Sequence, residues 1–302
     1  MFGAASPATQ SDPVEEALLG LLPPKDESPE TLHRAMHHAV FSGGKRIRPR
    51  LLLTVASACA ADDAEMDLAM RAGCAIEFIH SASLVHDDLP CFDDADFRRG
   101  KPTVHKLFGE PMAVLVGDAL LTRAFEILAD TPSRLARRAL RIVGLLGQAT
   151  GSQHGIIGGQ SLEQKGLDGS IIDRYHAMKT AALFRLAASA GAVAAGATDA
   201  EAWGEVGQCL GLAYQLADDL CDAVSSCEIA GKPVRRDETL GRPNAALLTG
   251  ESVTKQRLVS LILRAQSRTR ELAAEPKPLL ELIDDLSGYF LKTTQKATPQ
   301  NG

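Results

Sequence analysis

Five aspartates fall within ten residues of the sequence, and two arginines follow at once. Like charges at this density repel one another unless cations lie among them. Mg²⁺ suits such a cluster because it binds carboxylate oxygens and substrate phosphates together, and guanidinium groups match the geometry of phosphate oxygens. The stretch therefore predicts a site for a divalent cation and a phosphorylated ligand. The residues are Asp87, Asp88, Asp93, Asp94, Asp96, Arg98 and Arg99.

A solvated acidic turn would have the same composition. The residues just before the cluster, 74–85, are mostly apolar and are typical of a buried helix. The sequence therefore places the acidic cluster at the end of a core element rather than on an open surface.

A second acidic motif, Asp218-Asp219-x-x-Asp222, ends another apolar stretch. Asp218 and Asp222 are four positions apart and share a helix face, where like charges are destabilising unless a cation or ligand balances them. Two such motifs at the ends of two apolar helices could face one cavity, which is stronger evidence than either alone. The pairs Asp62-Asp63 and Asp284-Asp285 lack a third aspartate and basic neighbours, and are predicted to be solvated surface.

Helices are the elements predicted to position these motifs. No stretch alternates as a strand does, and no strand–helix rhythm is present. Asp12-Pro13 and the box Thr198-x-x-Glu201 are typical of helix N-termini, and Pro90 cannot continue the helix that carries the first motif. The predicted helices span residues 12–22, 28–42, 50–60, 62–86, 103–130, 134–151, 155–164, 170–197, 198–224, 253–273 and 277–291.

The overall composition bounds the protein class. The 302 residues are 45% hydrophobic, enough for a sizeable core, and the net charge of −6 without a basic stripe argues against nucleic-acid binding. The six cysteines form no C-x-x-C pair and indicate the reduced thiols of a cytoplasmic protein. We expect no secretory signal and no membrane span. We predict one all-α domain at residues 12–292, with disordered tails at 1–11 and 293–302.

The two acidic motifs resemble those of the trans-type polyprenyl diphosphate synthases, D-D-x-x-x-x-D…R-R-G and D-D-x-x-D. The resemblance covers about residues 15–290. The amino-acid sequences of residues 90–94 and 241–244 most resemble those of the geranylgeranyl diphosphate synthases of bacterial carotenoid pathways. Further matches, in chain order, are Gly43-Gly44-Lys45-Arg46-Ile47-Arg48-Pro49, Gly117-Asp118-Ala119-Leu120, Lys179-Thr180 and Gly231-Lys232.

The resemblance implies an all-α bundle of about ten or more helices around a deep apolar pocket, usually a homodimer. It implies Mg²⁺-dependent, head-to-tail condensation of isopentenyl diphosphate with allylic diphosphates, giving geranylgeranyl diphosphate with its twenty carbons. Farnesyl diphosphate, with fifteen carbons, or another chain length is the alternative. A terpene cyclase is disfavoured by the second motif and by Lys45 and Arg48, and a non-catalytic partner subunit by the two intact motifs.

The resemblance also assigns roles to residues of this sequence. Three Mg²⁺ ions per active site, with Mn²⁺ as a possible substitute, would be held by Asp87, Asp88, Asp93, Asp218 and Asp222, with support from Asp219. The allylic diphosphate would be bound by Arg98, Lys179 and Lys232, and Arg242 would also bind substrate. The diphosphate of isopentenyl diphosphate would be bound by Lys45, Arg48, His80 and Arg99. Oxygens would be presented toward the carbocation by Thr180 and Gln215.

From the residues alone, some of these assignments have plain alternatives. Lys179 is also typical of a surface lysine, His80 of a core histidine, and Lys45 to Arg48 of a helix entry. The sequence departs from the family pattern at Glu163, where an aspartate is common, and at Arg242, where a lysine is common. We expect Glu163 to alter a supporting contact rather than the reaction.

Product length is expected to depend on residues that precede Asp87. Ala82 and Ser83 are small, so a growing tail can pass them, and Phe78 is large enough to form a floor. An ideal helix puts Ser83 roughly 40° and Ala82 roughly 140° from Asp87, which favours Ser83. The resemblance favours Ala82, and this is the prediction we adopt.

Overall fold

The computed structural model describes residues 12–163, 170–224 and 244–295. These residues are mostly α-helical, which confirms the predicted all-α class. The first helices are α1 (Pro13–Leu21), α2 (Glu30–Val40), α3 (Ile47–Ala58), α4 (Asp63–Asp87), α5 (Val104–Phe108), α6 (Glu110–Ala129), α7 (Ala136–Thr150) and α8 (Ile156–Glu163). The later helices are α9 (Ile172–His176), α10 (Ala182–Ala194), α11 (Ala200–Val224), α12 (Ala245–Thr249), α13 (Glu251–Leu272) and α14 (Lys277–Gln295).

The chain forms two compact units. Unit 1 comprises the residues up to Arg46 together with Glu77–Ile127, and unit 2 comprises Ile47–Ile76 together with Leu128 onward. The first acidic motif therefore belongs to unit 1 and the second to unit 2. Helix α14 continues to Gln295, beyond the predicted domain end at 292, and the predicted tail at 1–11 lies outside the described residues.

Side-chain caps explain where two helices begin. The Asp12 carboxylate accepts a hydrogen bond from the Val14 amide at 3.0 Å, and Pro13 follows it, as predicted. The predicted box at Thr198 was wrong, because Asp199 is the residue that accepts from the Ala202 amide, at 3.0 Å, at the start of α11. A carboxylate accepts more strongly from a helix N-terminus than a hydroxyl does.

Two of the predicted long helices are interrupted. Residues 103–130 form α5 and α6, which are separated at Gly109, whose φ of 87° is a conformation that favours glycine. Residues 170–197 form α9 and α10 with a π-helical turn, Ala177–Ala181, between them. A π turn inserts residues without changing the apolar composition, so periodicity alone did not reveal it.

A two-residue hairpin follows the first acidic motif, although no strand was predicted. Phe97–Arg98 pairs antiparallel with Lys101–Pro102. The turn residues Arg99 and Gly100 have φ of 52° and 76°, which is typical of the tight turns that join such short strands. Strands of two residues are too short to produce an alternating pattern.

Small residues bring helices of unit 2 close together. A Cβ added at Gly191 of α10 would lie 2.4 Å from the Leu52 carbonyl oxygen of α3, and one at Gly207 of α11 would lie 2.2 Å from the Phe184 carbonyl oxygen. The backbones therefore approach more closely than any larger residue would allow.

Among the described helices, α4 is the one whose length and apolar composition would allow it to cross a membrane. Within its apolar window 72% of the residues are buried in the protein. Burial of this extent is typical of a core helix.

Candidate active site

The first acidic motif begins where α4 ends, and the chain then folds back on the helix end. The Asp93 amide donates to the Asp87 carbonyl at 2.9 Å, and the Ala95 amide donates to the Asp88 carbonyl at 3.2 Å. Asp94 adopts a φ of 44°, which permits this reversal. The backbone thus brings together Asp87 and Asp93, two of the three unit 1 residues that are predicted to hold metal.

Asp88 has a different environment from its neighbours. Its side chain is buried, and its carboxylate accepts from Arg98 Nε at 2.9 Å on each oxygen and from Arg98 Nη2 at 2.7 Å. Burial raises the pKa of Asp88, and the Arg98 guanidinium opposes this rise. A forked pair of this kind fixes the plane of the guanidinium. Asp88 therefore orients Arg98, a predicted diphosphate-binding residue.

The outer aspartates are held by a short helix that the sequence reasoning did not single out. Asp96 lies 2.7 Å and Asp94 lies 3.7 Å from Lys106 Nζ of α5. The Thr103 hydroxyl donates to the Ala95 carbonyl at 2.8 Å, and His105 Nδ1 lies 3.1 Å from that hydroxyl. These contacts tie the acidic loop to α5, and the only sequence signal was the position of His105-Lys106 directly after the motif.

The glycine loop before α3 meets the second arginine of the first motif. Gly43 and Gly44 have φ of 103° and 141°. The Arg99 guanidinium donates to the Gly43 carbonyl, and a Cβ added at Gly44 would lie 2.7 Å from Arg99 Nη1. Lys45 is exposed on this loop. The structure therefore places Arg99 against the two glycines that precede Lys45. That Lys45 and Arg99 bind one diphosphate stays a prediction.

Two further residues predicted for the same diphosphate, His80 and Arg48, belong to different units. His80 is half-buried on α4 in unit 1. Arg48 belongs to unit 2, where its guanidinium carbon lies 4.9 Å from the centre of the Phe184 ring. Lys232 and Arg242 fall outside the described residues.

In unit 2, the π turn presents Lys179 and Thr180. The Lys179 ammonium pairs with the Glu163 carboxylate, which also accepts from the Tyr175 hydroxyl at 2.9 Å. A Cβ added at Gly159 would lie 2.7 Å from the Lys179 amide nitrogen, so glycine is required for this close approach. The glutamate that departs from the family pattern thus contacts a predicted diphosphate-binding lysine directly.

A chain of hydrogen bonds connects the π turn to the second acidic motif. Thr180 donates its hydroxyl proton to Gln215 Oε1, and Gln215 Nε2 donates to Asp219 Oδ1 at 2.8 Å. The other Asp219 oxygen accepts from the Ala245 amide at 2.8 Å, and Asn244 Nδ2 donates to the Asp219 carbonyl at 2.9 Å. Asp219 is 1% exposed, so it supports the second motif through these buried hydrogen bonds.

The other two aspartates of this motif differ from Asp219 in exposure. Asp218 is exposed and Asp222 is half-buried on α11. Burial, followed by the charges of Asp218 and Asp222, raises the pKa of the Cys221 thiol to about 11. Burial is thus the main cause that keeps this thiol protonated, and the two carboxylates add a negative potential that favours cation binding.

The carboxylates fit Mg²⁺ in their chemistry. Among the described residues, no three His, Cys, Asp or Glu side chains are grouped closely enough to form a metal cage by themselves. Mg²⁺ seldom uses such a cage, because it keeps several waters and binds one or two carboxylates together with substrate phosphates. Paired oxygen donors such as Asp87 with Asp93 suit an ion that arrives with a diphosphate.

The buried imidazole beside Asp219 should make folding sensitive to acid. Burial lowers the pKa of His176 to about 4 from 6.5, although an Asp219 oxygen lies 3.4 Å from Nε2. Below pH 6.5 the unfolded chain binds a proton that the folded chain excludes, so stability falls as the pH drops toward 4. At pH 5 the loss is about 2 kcal/mol.

His176→Gln is therefore expected to flatten the decline in melting temperature between pH 7 and pH 5, measured by calorimetry or circular dichroism. His154→Gln, at an exposed position, is the matched control and should retain the wild-type decline. Equal declines in the wild type and in His176→Gln would contradict the assignment.

Comparison with known proteins gives a family and several relatives. The polyprenyl synthetase family matches residues 29–276. The chain is 44% identical over 268 residues to the geranylgeranyl diphosphate synthase of Rhodobacter capsulatus, covering 87% of this chain and 90% of that protein. It is 47% identical over 236 residues to the protein of the same name from Cereibacter sphaeroides, covering 78% and 80%.

Solved structures show the same fold. An FPP/GFPP synthase from Zymomonas mobilis has a TM-score of 0.77 at 33% identity, covering 89% of this chain and 93% of that one. A putative farnesyl-diphosphate synthase from Marinomonas sp. MED121 has a TM-score of 0.73 at 30% identity, covering 90% and 94%. The chain therefore belongs to the polyprenyl synthetase family of prenyltransferases.

Proposed function

We propose that this protein is a geranylgeranyl diphosphate synthase that joins isopentenyl diphosphate to allylic diphosphates. The observation that carries the proposal is the course of α4, which ends in Asp87 and carries the small, buried Ala82 and then the buried Phe78 on the preceding turns. A site for the diphosphate at the helix end and a small residue one turn earlier suit a tail that grows along this helix. The names of the two bacterial relatives support the twenty-carbon product.

The reaction breaks the bond between the allylic carbon and the diphosphate oxygen. The carbon–carbon double bond of isopentenyl diphosphate then attacks the resulting carbocation, and loss of one proton gives a new trans double bond. Separation of charge at the leaving group is the difficult step. Bound Mg²⁺ supplies positive charge that stabilises the departing pyrophosphate, and we propose Asp87, Asp93, Asp218 and Asp222 as its ligands. The released pyrophosphate accepts the proton.

Basic and polar side chains complete the proposed site. Arg98, oriented by Asp88, and Lys179, paired with Glu163, bind the allylic diphosphate. Because Thr180 donates its proton to Gln215, its oxygen lone pairs remain available to face the carbocation. Lys45 and Arg99 bind the diphosphate of isopentenyl diphosphate.

Farnesyl diphosphate is the second candidate product, because the two solved relatives are an FPP/GFPP synthase and a putative farnesyl-diphosphate synthase. Product analysis separates the two candidates. The protein is incubated with labelled isopentenyl diphosphate and with dimethylallyl, geranyl or farnesyl diphosphate, and the dephosphorylated products are separated by chromatography. Twenty-carbon product from all three primers supports the proposal. Fifteen-carbon product as the end point, or a cyclic hydrocarbon, contradicts it.

We further propose a homodimer, supported by exposed apolar side chains on α6. Val114, Leu115 and Phe125 are 44%, 53% and 36% exposed. Leu115→Glu is expected to convert dimer to monomer in light scattering after size-exclusion chromatography, because a buried charge at an interface is costly. Leu19→Glu, at a leucine of α1 that is 58% exposed, is the matched control and should remain dimeric. A dimeric Leu115→Glu variant would exclude this face.

We also propose that the protein acts in the cytoplasm. Cys91 is a free thiol that is exposed within the first acidic motif. An exposed free thiol is best preserved in a reducing compartment.

A further inference from the structure

Arg46 occupies an unusual place in unit 1, because its charged side chain is only 4% exposed. Its Nε donates to Glu15 Oε1 at 2.8 Å, its Nη1 to Glu77 Oε2 at 2.9 Å, and its Nη2 to the Val40 carbonyl at 2.7 Å. One guanidinium therefore connects α1, the end of α2 and α4. We call Glu15, Arg46 and Glu77 the Arg46 triad.

Burial of the charged Arg46 triad has a desolvation cost. A buried ion pair is often no more stable than well-packed apolar side chains of the same volume. Arg46 also has a backbone φ of 48°, in a region that residues other than glycine rarely adopt. Stability alone therefore gives no reason for a charged triad at this position.

The position of Lys45 gives a reason. Lys45 is exposed while the next residue, Arg46, is buried, so the anchored backbone of Arg46 fixes the point from which Lys45 extends. On the other side of Lys45, the Arg99 guanidinium donates to the Gly43 carbonyl and lies against Gly44. The loop Gly43–Arg46 contains two glycines with positive φ and would be flexible without these two attachments.

We propose that the Arg46 triad is a positioning device that holds Lys45 for the diphosphate of isopentenyl diphosphate, an inference that rests on the function proposed above. Glu15 lies before residue 29, where the family match begins. The N-terminal helix α1 thereby contributes to the isopentenyl diphosphate site of this protein without touching the substrate, and Arg46 and Glu77 act through Lys45.

The test measures the Michaelis constants of both substrates in full-length variants. Glu15→Gln removes a charge at the half-exposed edge of the triad, and Arg46→Lys keeps the charge but loses the planar fork. Each is expected to raise KM for isopentenyl diphosphate about five- to tenfold. KM for the allylic primer should change by less than about twofold. Glu16→Gln, at the exposed neighbouring position, is the matched control and should change neither constant.

A double variant separates positioning from folding. Arg46→Met with Glu77→Met removes both buried charges together, which avoids an unpaired charge in the interior. It should fold, as judged by its melting curve, and still show the selective rise in KM for isopentenyl diphosphate. Where a buried change prevents folding, Glu15→Gln decides the question.

Two results would overturn the inference: folded variants with the wild-type KM for isopentenyl diphosphate, or equal rises in KM for both substrates. Absence of any condensation product from the wild type would instead overturn the proposed function.

Discussion

Asp87→Ala is expected to lower kcat by at least about a thousandfold, because loss of one metal-binding carboxylate removes stabilisation of the departing pyrophosphate. The fold should survive. Asp87 is the last residue of α4, and a negative charge at a helix C-terminus is unfavourable. Its removal should therefore leave the melting temperature unchanged or slightly raised.

The measurement combines single-turnover rates with thermal melting. Asp285→Ala, in the exposed aspartate pair of α14, is the matched control and should keep full activity. Excess EDTA should abolish turnover of the wild type, and added Mg²⁺ should restore it. Wild-type rates in EDTA or in the Asp87→Ala variant would refute the metal assignment.

Asp88 provides an internal contrast to Asp87. Because the Asp88 carboxylate is buried and holds Arg98, Asp88→Asn should lower both kcat and the melting temperature. Different stability effects at these neighbouring aspartates would distinguish a metal-ligand role of the half-buried Asp87 from a supporting role of the buried Asp88. Identical losses of stability in both variants would contradict this division.

Ala82→Tyr is expected to shift the main product from twenty to fifteen carbons. Ala82 is fully buried on α4, and Phe78, also fully buried, lies one turn earlier. One isoprene unit extends the tail by roughly 5 Å, about the rise of one helical turn. A phenol ring at Ala82 would therefore stop the tail one unit sooner than Phe78 does.

The product distribution, measured by chromatography after dephosphorylation, is read together with the melting temperature. If Ala82 faces an open tail pocket, tyrosine fits there with little loss of stability, whereas in a filled core it would cost about 1–3 kcal/mol. Phe78→Ala should give products longer than twenty carbons. Ser83→Tyr is the matched comparison, since Ser83 is half-buried and its hydroxyl donates to the His80 carbonyl at 2.8 Å.

If Ala82→Tyr still makes mainly the twenty-carbon product while Ser83→Tyr shortens it, the tail runs along the other face of α4. Ideal helix angles favour shortening of the product by Ser83→Tyr. The family resemblance favours shortening by Ala82→Tyr. The two variants decide between these predictions directly.

The sequence by itself determined the helical class, the end of α4 before Pro90 and the two acidic motifs. Each depends on residues within a few turns of one another, so periodicity, capping and motif spacing report them. The family match covers residues 29–276, a range that includes both motifs. The errors were also local: the cap proved to be Asp199, and Gly109 and the π turn divided two helices that periodicity had joined.

The tertiary structure decided which member of each motif faces inward. Asp88 and Asp219 are buried and bound to protein groups, whereas Asp218 beside Asp219 is exposed. The buried and the exposed positions are all aspartates, so residue type does not distinguish them. Spacing along one helix does not reveal which elements pack against each side chain.

Only the tertiary structure revealed the Arg46 triad and the pairing of Glu163 with Lys179. Arg46 meets Glu15 and Glu77, each 31 residues away in sequence, and Lys179 meets Glu163 at a separation of 16. A buried charge requires a partner of opposite charge, and the packing of the helices determines which residue lies close enough. That choice depends on how whole helices pack, and no local pattern in the sequence encodes it.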